Sequence, residues 1–185
     1  MLVCLMLCAV VLSSLVMFVT IAFYKGRGLK RDRLIRWWTK SRYSHVELIL
    51  PSGNISGIRP PYYSSVKTRA MKKLDESEWD LIEIEVSNRQ LRLLQSFIAS
   101  TEGQSYDWLG MIASNISPLK VRAPGKWYCS EWAAYALSVS GILPWKFAKL
   151  YDLKSISPAD LYVIINNMEK TYEEDKSMHT WRNRI

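Results

Sequence analysis

The 185-residue sequence predicts one domain that mixes strands and helices, and three observations carry that prediction. SHVELIL (44–50) and WDLIEIEV (79–86) alternate polar and apolar residues with the period of two expected of a strand with one face buried. Leu91, Leu94, Phe97 and Ile98, by contrast, recur at the three- and four-residue spacing of an amphipathic helix. The chain is also long enough, and at 49% hydrophobic residues apolar enough, to bury one core, which excludes a disordered tail.

No charged side chain occurs in residues 1–24, a run long enough to cross a bilayer, which takes roughly 20 helical residues. From Met17, however, MFVTIAFYKG turns β-branched and aromatic and ends at Gly26, which reads as a buried strand opening the domain. Residues 1–16 are then an apolar segment that is membrane-associated or signal-like, without a clear positive leader or small-residue cleavage site. Between Lys25 and Arg42 eight basic residues stand against Asp32 alone, and Trp37 and Trp38 lie among them. Such a stretch suits an anionic membrane surface or a positive-inside flank. It reads equally well as a solvated amphipathic helix over 29–40 with its Trp pair packed inward. No nucleic-acid module surrounds it, so nucleic acid is disfavoured as a partner. Membrane association through the N-terminus is the expectation, with the side of the membrane open.

The strand 44–50 places His45, Glu47 and Ile49 on one face and Val46, Leu48 and Leu50 on the other. PSGN (51–54) turns the chain, and 55–59 returns as its partner. The polar stretch 60–77, with PPYYSS near its start, predicts a loop over a cleft. After the strand 79–86, Ser87 and Gln90 form a capping box for a helix that stops at Gly103. YDWLGMI (106–112) and a loop containing Pro118, Pro124 and Gly125 lead to a helix from Cys129 to about Ser140, ended by Gly141 and Pro144. Ser157-Pro158 opens a last helix reaching Met168, and 169–185 is a charged tail. The domain boundaries are therefore 1–16, 17–168 and 169–185.

Cys4 and Cys8 lie in the apolar segment, so with Cys129 they make no disulfide framework, and no Cys/His cluster predicts a metal; no cofactor is expected. Cys129 stands where a helix starts, and there unpaired N–H groups and the helix dipole favour a thiolate. The same N–H groups suit an oxyanion. His45 is the one histidine inside the predicted fold and a candidate base; Glu47, two residues along the same face, is placed to orient it. Glu131 lies about 200° around the helix from Cys129, which favours a cap or surface role. The alternatives are a packed thiol, a structural histidine and an exposed strand glutamate.

The segments KGRG, DRLIRWWTKSRYSHVEL, QSYDWLGMI, KWYCSEW and SPADLY, in this order, resemble the circularly permuted branch of the NlpC-type papain-like cysteine hydrolase superfamily, closest to its small phage and bacterial members. That branch includes cell-wall amidases, other thiol hydrolases and the related lecithin:retinol acyltransferase-like enzymes. The resemblance spans roughly residues 19–168. It implies an α+β fold, with a small antiparallel sheet or partial barrel packed on the helix that starts at Cys129. It also implies Cys129 as nucleophile and His45 as general base. The third polar residue, often Glu or His on the next strand in relatives, falls here at Ser56 and Gly57, so Glu47 is the first substitute and Ser56 the second. The implied function is hydrolysis of an amide bond, with peptidoglycan peptides as the substrate. The alternatives are a lipid acyl ester or amide hydrolase or acyltransferase, and a non-catalytic membrane-bound interaction module of the same fold.

Overall fold

Seven strands form one sheet in the computed structural model, which describes residues 16–111 and 124–168. The expectations for 1–15, for the loop around Pro118 and for the tail 169–185 lie outside the described residues. The strands are β1 (Met17–Tyr24), β2 (His45–Ile49), β3 (Asn54–Arg59), β4 (Tyr63–Ala70), β5 (Trp79–Val86), β6 (Ser105–Tyr106) and β7 (Lys126–Trp127). Their order is β5-β1-β2-β3-β4-β6-β7. The sheet curls into a half-barrel, and the class is α+β. The pairs are antiparallel except β6 with β7, so the sheet is mixed rather than wholly antiparallel as expected.

β1 forms where its β-branched, aromatic run predicts, and it is the hub, pairing along its whole length with β5 and over most of it with β2. The PSGN turn closes with Gly53 N–H donating to Leu50 C=O at 2.9 Å, which sets the hairpin register at Leu48 opposite Ser56. Every residue of β2 is buried. The reading of Glu47 as the exposed member of an alternating strand therefore fails; its face of the sheet is covered too.

Two corrections concern connecting segments. The stretch 63–70 within 60–77, expected as a loop, is strand β4. The apolar alternation that marks a strand is missing because its inward side chains, Tyr63 and Arg69, are polar groups that bond a buried carboxylate, leaving Val66 as its buried apolar residue. The helix α1 (Lys30–Thr39) forms as predicted, with Asp32 accepting the Leu29 N–H at 2.6 Å and Arg36 tied to the carbonyls of Gly26 and Arg27. Trp37 is not packed inward, however: it is 71% exposed.

α2 (Asn88–Thr101) starts with the capping box read in the sequence, Gln90 N–H to Ser87 Oγ at 3.3 Å and Ser87 N–H to Gln90 Oε1 at 2.9 Å. It packs against α3 (Cys129–Val139), which lies on the sheet over β2 and β3. Further on come α4 (Trp145–Leu150), a 3-10 turn at Leu153–Ser155 and α5 (158–168), the last capped by Ser157 Oγ accepting from Asp160 N–H at 3.1 Å. Among the described residues no helix is long and apolar enough to cross a membrane.

Trp132, fully buried on α3, joins the layers: its ring packs near Phe97 of α2, and its indole N–H donates to Thr101 Oγ1 at 2.9 Å. Removing this ring leaves a cavity between the helices and takes away the donor to Thr101 Oγ1. Trp132→Ala is expected to cost about 3–5 kcal/mol of unfolding free energy, measured by urea denaturation; a loss below about 1 kcal/mol contradicts this view of the core.

Candidate active site

Local sequence places each group. The capless start of α3, with Tyr128 extended ahead of it, sets Cys129 on the first helical residue and leaves the first-turn N–H groups without a side-chain cap. The helix is anchored from behind, as the Ser130 hydroxyl donates to Ile156 C=O and the Tyr128 hydroxyl to Lys154 C=O, both at 2.7 Å. These ties, with the sheet in front, bury the first turn on all sides. Glu131, expected at a cap or on the surface, is accordingly 1% exposed.

β2 brings His45 to this helix start. Cys129 and His45 share the lining of one cleft, where each acts on the other's charge. On its other edge His45 Nε2 lies 3.0 Å from Glu47 Oε1, so Nδ1 is the nitrogen left for the sulfur. Alternation along the strand puts residues 45 and 47 on one face, and this is why a dipeptide step suffices. Trp79 closes the imidazole's flank edge-on, with ring centroids 6.2 Å apart. Cys129, His45 and Glu47 are thus brought together in one line. Ser56 is not among them: it shares the face of its partner Leu48, opposite to Glu47, and its hydroxyl pairs with Thr68 Oγ1 at 2.9 Å.

Three residues around Glu47 were given no role in the site by the sequence. Arg69 donates to Oε2 at 2.7 Å, and the Tyr63 hydroxyl donates to Oε1, both from β4. Gly57 supplies the room, since a β-carbon there would stand 3.0 Å from Glu47 Cγ. The signal for Gly57 was present: with Leu48 opposite Ser56, Glu47 falls opposite Gly57. No comparable signal marks Tyr63 or Arg69, which sit in a polar run.

Charge follows from this geometry. Burial alone would push the Glu47 carboxyl up, but the hydrogen bond and charge of His45, the Arg69 charge and the Tyr63 hydroxyl outweigh it and hold the carboxyl at about 2. Burial likewise pushes His45 down, yet the Cys129 charge and hydrogen bond, followed by those of Glu47, win and raise it above its ordinary value. For Cys129, burial raises the thiol, but His45 and the backbone N–H groups of Val46 and Ser130 lower it below the ordinary thiol range. The three shifts all run toward a thiolate beside an imidazolium backed by a carboxylate.

The thiol and the imidazole open on a narrow cleft with a volume of about 20 Å³. That is little more than one water's room. Ile35, Ile58, Trp108 and Met111 give it apolar walls, and Tyr106 closes the back. Burial and the nearby Cys129 charge raise the Tyr106 phenol well above its ordinary value, so it stays a neutral donor. Among the described residues no group of three or more His, Cys, Asp or Glu is arranged to hold a metal ion. No family model and no curated protein matches this chain.

Two outcomes test the electrostatics. Glu47→Gln weakens the imidazolium, so the thiol should return toward its ordinary value; at neutral pH, alkylation of Cys129 by iodoacetamide should slow at least about tenfold. An unchanged rate would show that Glu47 does not act on the sulfur. Second, because the folded carboxyl is depressed to about 2 from 4.5, its stabilisation is complete above pH 4.5 and is lost as pH falls through 2. Wild-type stability should fall across that window more steeply than that of Glu47→Gln, as measured by denaturant midpoints at each pH.

Proposed function

We propose that the protein is a thiol hydrolase of papain-like type that cleaves an amide bond through an acyl-enzyme on Cys129. The observation that carries this reading is the buried Cys129–His45–Glu47 line, in which each member shifts the next toward the charge state that nucleophilic catalysis needs. The order of the histidine strand before the cysteine helix agrees with the permuted branch it resembles, and the curled sheet against α3 supports the same likeness. Peptidoglycan peptides are the substrate that the resemblance implies.

The chemistry follows from the arrangement. The Cys129 thiolate adds to the scissile carbonyl carbon, and the carbonyl π pair moves onto oxygen. The first-turn N–H groups of α3, with the helix dipole behind them, face that oxyanion. As the intermediate collapses, the C–N bond breaks and His45 gives its Nδ1 proton to the leaving amine, which leaves a thioester. His45, now neutral, takes a proton from water, the resulting hydroxide equivalent attacks the thioester, and collapse releases the acid and restores the thiolate–imidazolium pair. Glu47 stays ionised throughout, fixing the ring and stabilising its charged form. A non-catalytic interaction module has less support, because that reading drew on the lack of a third residue and Glu47 now fills the place.

One observation favours a second substrate, a lipid acyl ester or amide. The helix that lines the cleft with Ile35 also exposes Leu34 and Trp37 beside Lys30, Arg31 and Arg33, and Leu109, 78% exposed, follows Trp108 of the cleft wall. Apolar and basic groups around a cleft mouth suit an anionic membrane surface.

In the test, purified protein is given muropeptides and, separately, acyl lipids in anionic vesicles, and an adduct on Cys129 is sought by mass spectrometry. Wild type should form a thioester on Cys129 with one of the two substrates, and Cys129→Ala should lose turnover by at least about a thousandfold. Full activity in Cys129→Ala would refute the mechanism.

A further inference from the structure

Arg59, at the end of β3, lines the cleft beside Cys129 and His45 and has no part in the chemistry above. Three rings hold its guanidinium: the carbon lies 4.3 Å from the Tyr24 centroid, 5.2 Å from Tyr62 and 5.4 Å from Trp79. Trp79 is also the ring that flanks His45, so one aromatic cluster fixes both the cation and the base.

A cation held in this way usually has an acid for a partner, and no described carboxylate is within ion-pair distance of Arg59. The acids nearby are otherwise engaged. Glu47 is taken by His45, Arg69 and Tyr63; Asp80 pairs with Lys25 at 2.6 Å and Arg42 at 2.9 Å. Asp32, which shares the cleft, accepts the Leu29 N–H at 2.6 Å and the Ser44 hydroxyl at 3.4 Å. Glu78 lies toward the Tyr24 hydroxyl and forms no ion pair with Arg59. Arg59 Nε is buried and has no hydrogen-bond partner. The result is a preorganised, flat, multiply donating cation with its acid missing, in the wall of a cleft whose floor is a nucleophile. Guanidinium geometry matches a carboxylate or a phosphate.

We propose that Arg59 is the anion-recognising subsite of this cleft, so that the acyl substrate carries a carboxylate or phosphate group close to the carbonyl that Cys129 attacks. The proposal deepens the thiol-hydrolase reading and rests on it for the word substrate. Arg31, which lines the cleft from α1, has no such ring cage among the described residues and is the natural comparison.

The test reads the thiol itself, which separates the two ideas. Cys129 is alkylated with iodoacetate and with iodoacetamide, probes that differ in one negative charge, and the ratio of the two rates is compared among wild type, Arg59→Met, Arg59→Lys and Arg31→Met. The ratio in wild type should exceed that in Arg59→Met by about tenfold or more. Arg59→Lys, which keeps the charge and loses the two-pronged donor, should fall between them and guards against a folding defect in the Met variant. Either succinate or inorganic phosphate should protect Cys129 from iodoacetamide in wild type, and the one that protects names the anion. A ratio that Arg59→Met leaves within about twofold of wild type, a fall confined to Arg31→Met, or protection by neither anion overturns the proposal. If the preference holds but no amide or ester is turned over, the subsite stands and the hydrolase reading falls. Turnover without the preference keeps the hydrolase reading and overturns the subsite.

Discussion

Burying a carboxylate costs several kcal/mol unless cations and donors replace its water, and Glu47 has no exposed surface. Its replacements come from two strands: His45 from its own strand, and Arg69 and Tyr63 from β4. The rest of the site depends on this arrangement. The Glu47 bond holds the imidazole on one side, and, after the Cys129 charge, its own charge raises the ring above its ordinary value. The imidazole in turn lowers the thiol against the burial that would raise it.

The same carboxylate explains features of the fold that look unrelated to chemistry. Gly57 leaves the sheet without a side chain where Glu47 needs space. β4 is polar on its inner side because that side solvates a charge and meets little of the apolar core, while Val66 on its other side joins it. The helix end of the site is held independently, by the Ser130 and Tyr128 hydroxyls on the 154–156 carbonyls and by Trp132 in the core. Sulfur and imidazole are therefore each fixed by their own supports before they meet, a preorganisation that lowers the cost of reaching the reactive state.

How much of this could be read in the sequence differed with the kind of signal. Hydrophobic period and caps marked β1, β2, β5 and α2, since burial and capping leave a local trace within a few residues. Order along the chain, histidine strand before cysteine helix, pointed to the pair. The hairpin register, which puts Ser56 on the face opposite Glu47, came from the folded sheet, since the sequence left Ser56 standing as a candidate. β4 was hidden, because its function replaced the apolar alternation by which a strand is recognised. The burial of Glu131 and the exposure of Trp37 were hidden too, since both depend on which elements pack nearby and not on the helix's own period. Arg59 gave no sign in one dimension; its meaning comes from three rings on β1, on β5 and ahead of β4 that only the folded sheet gathers.

The protonation state of His45 is the most direct witness to a carboxylate-backed thiolate–imidazolium pair. The chain holds two histidines, His45 and His179, so ¹⁵N-labelled imidazole spectra are simple to assign by comparison with a His179→Asn protein. Titrated by NMR, His45 should remain doubly protonated through and above its ordinary value of 6.5 in wild type, and lose that proton at lower pH in Cys129→Ala and in Glu47→Gln. A neutral His45 ring in wild type below pH 6.5, or a titration that neither substitution moves, would rule out that pair.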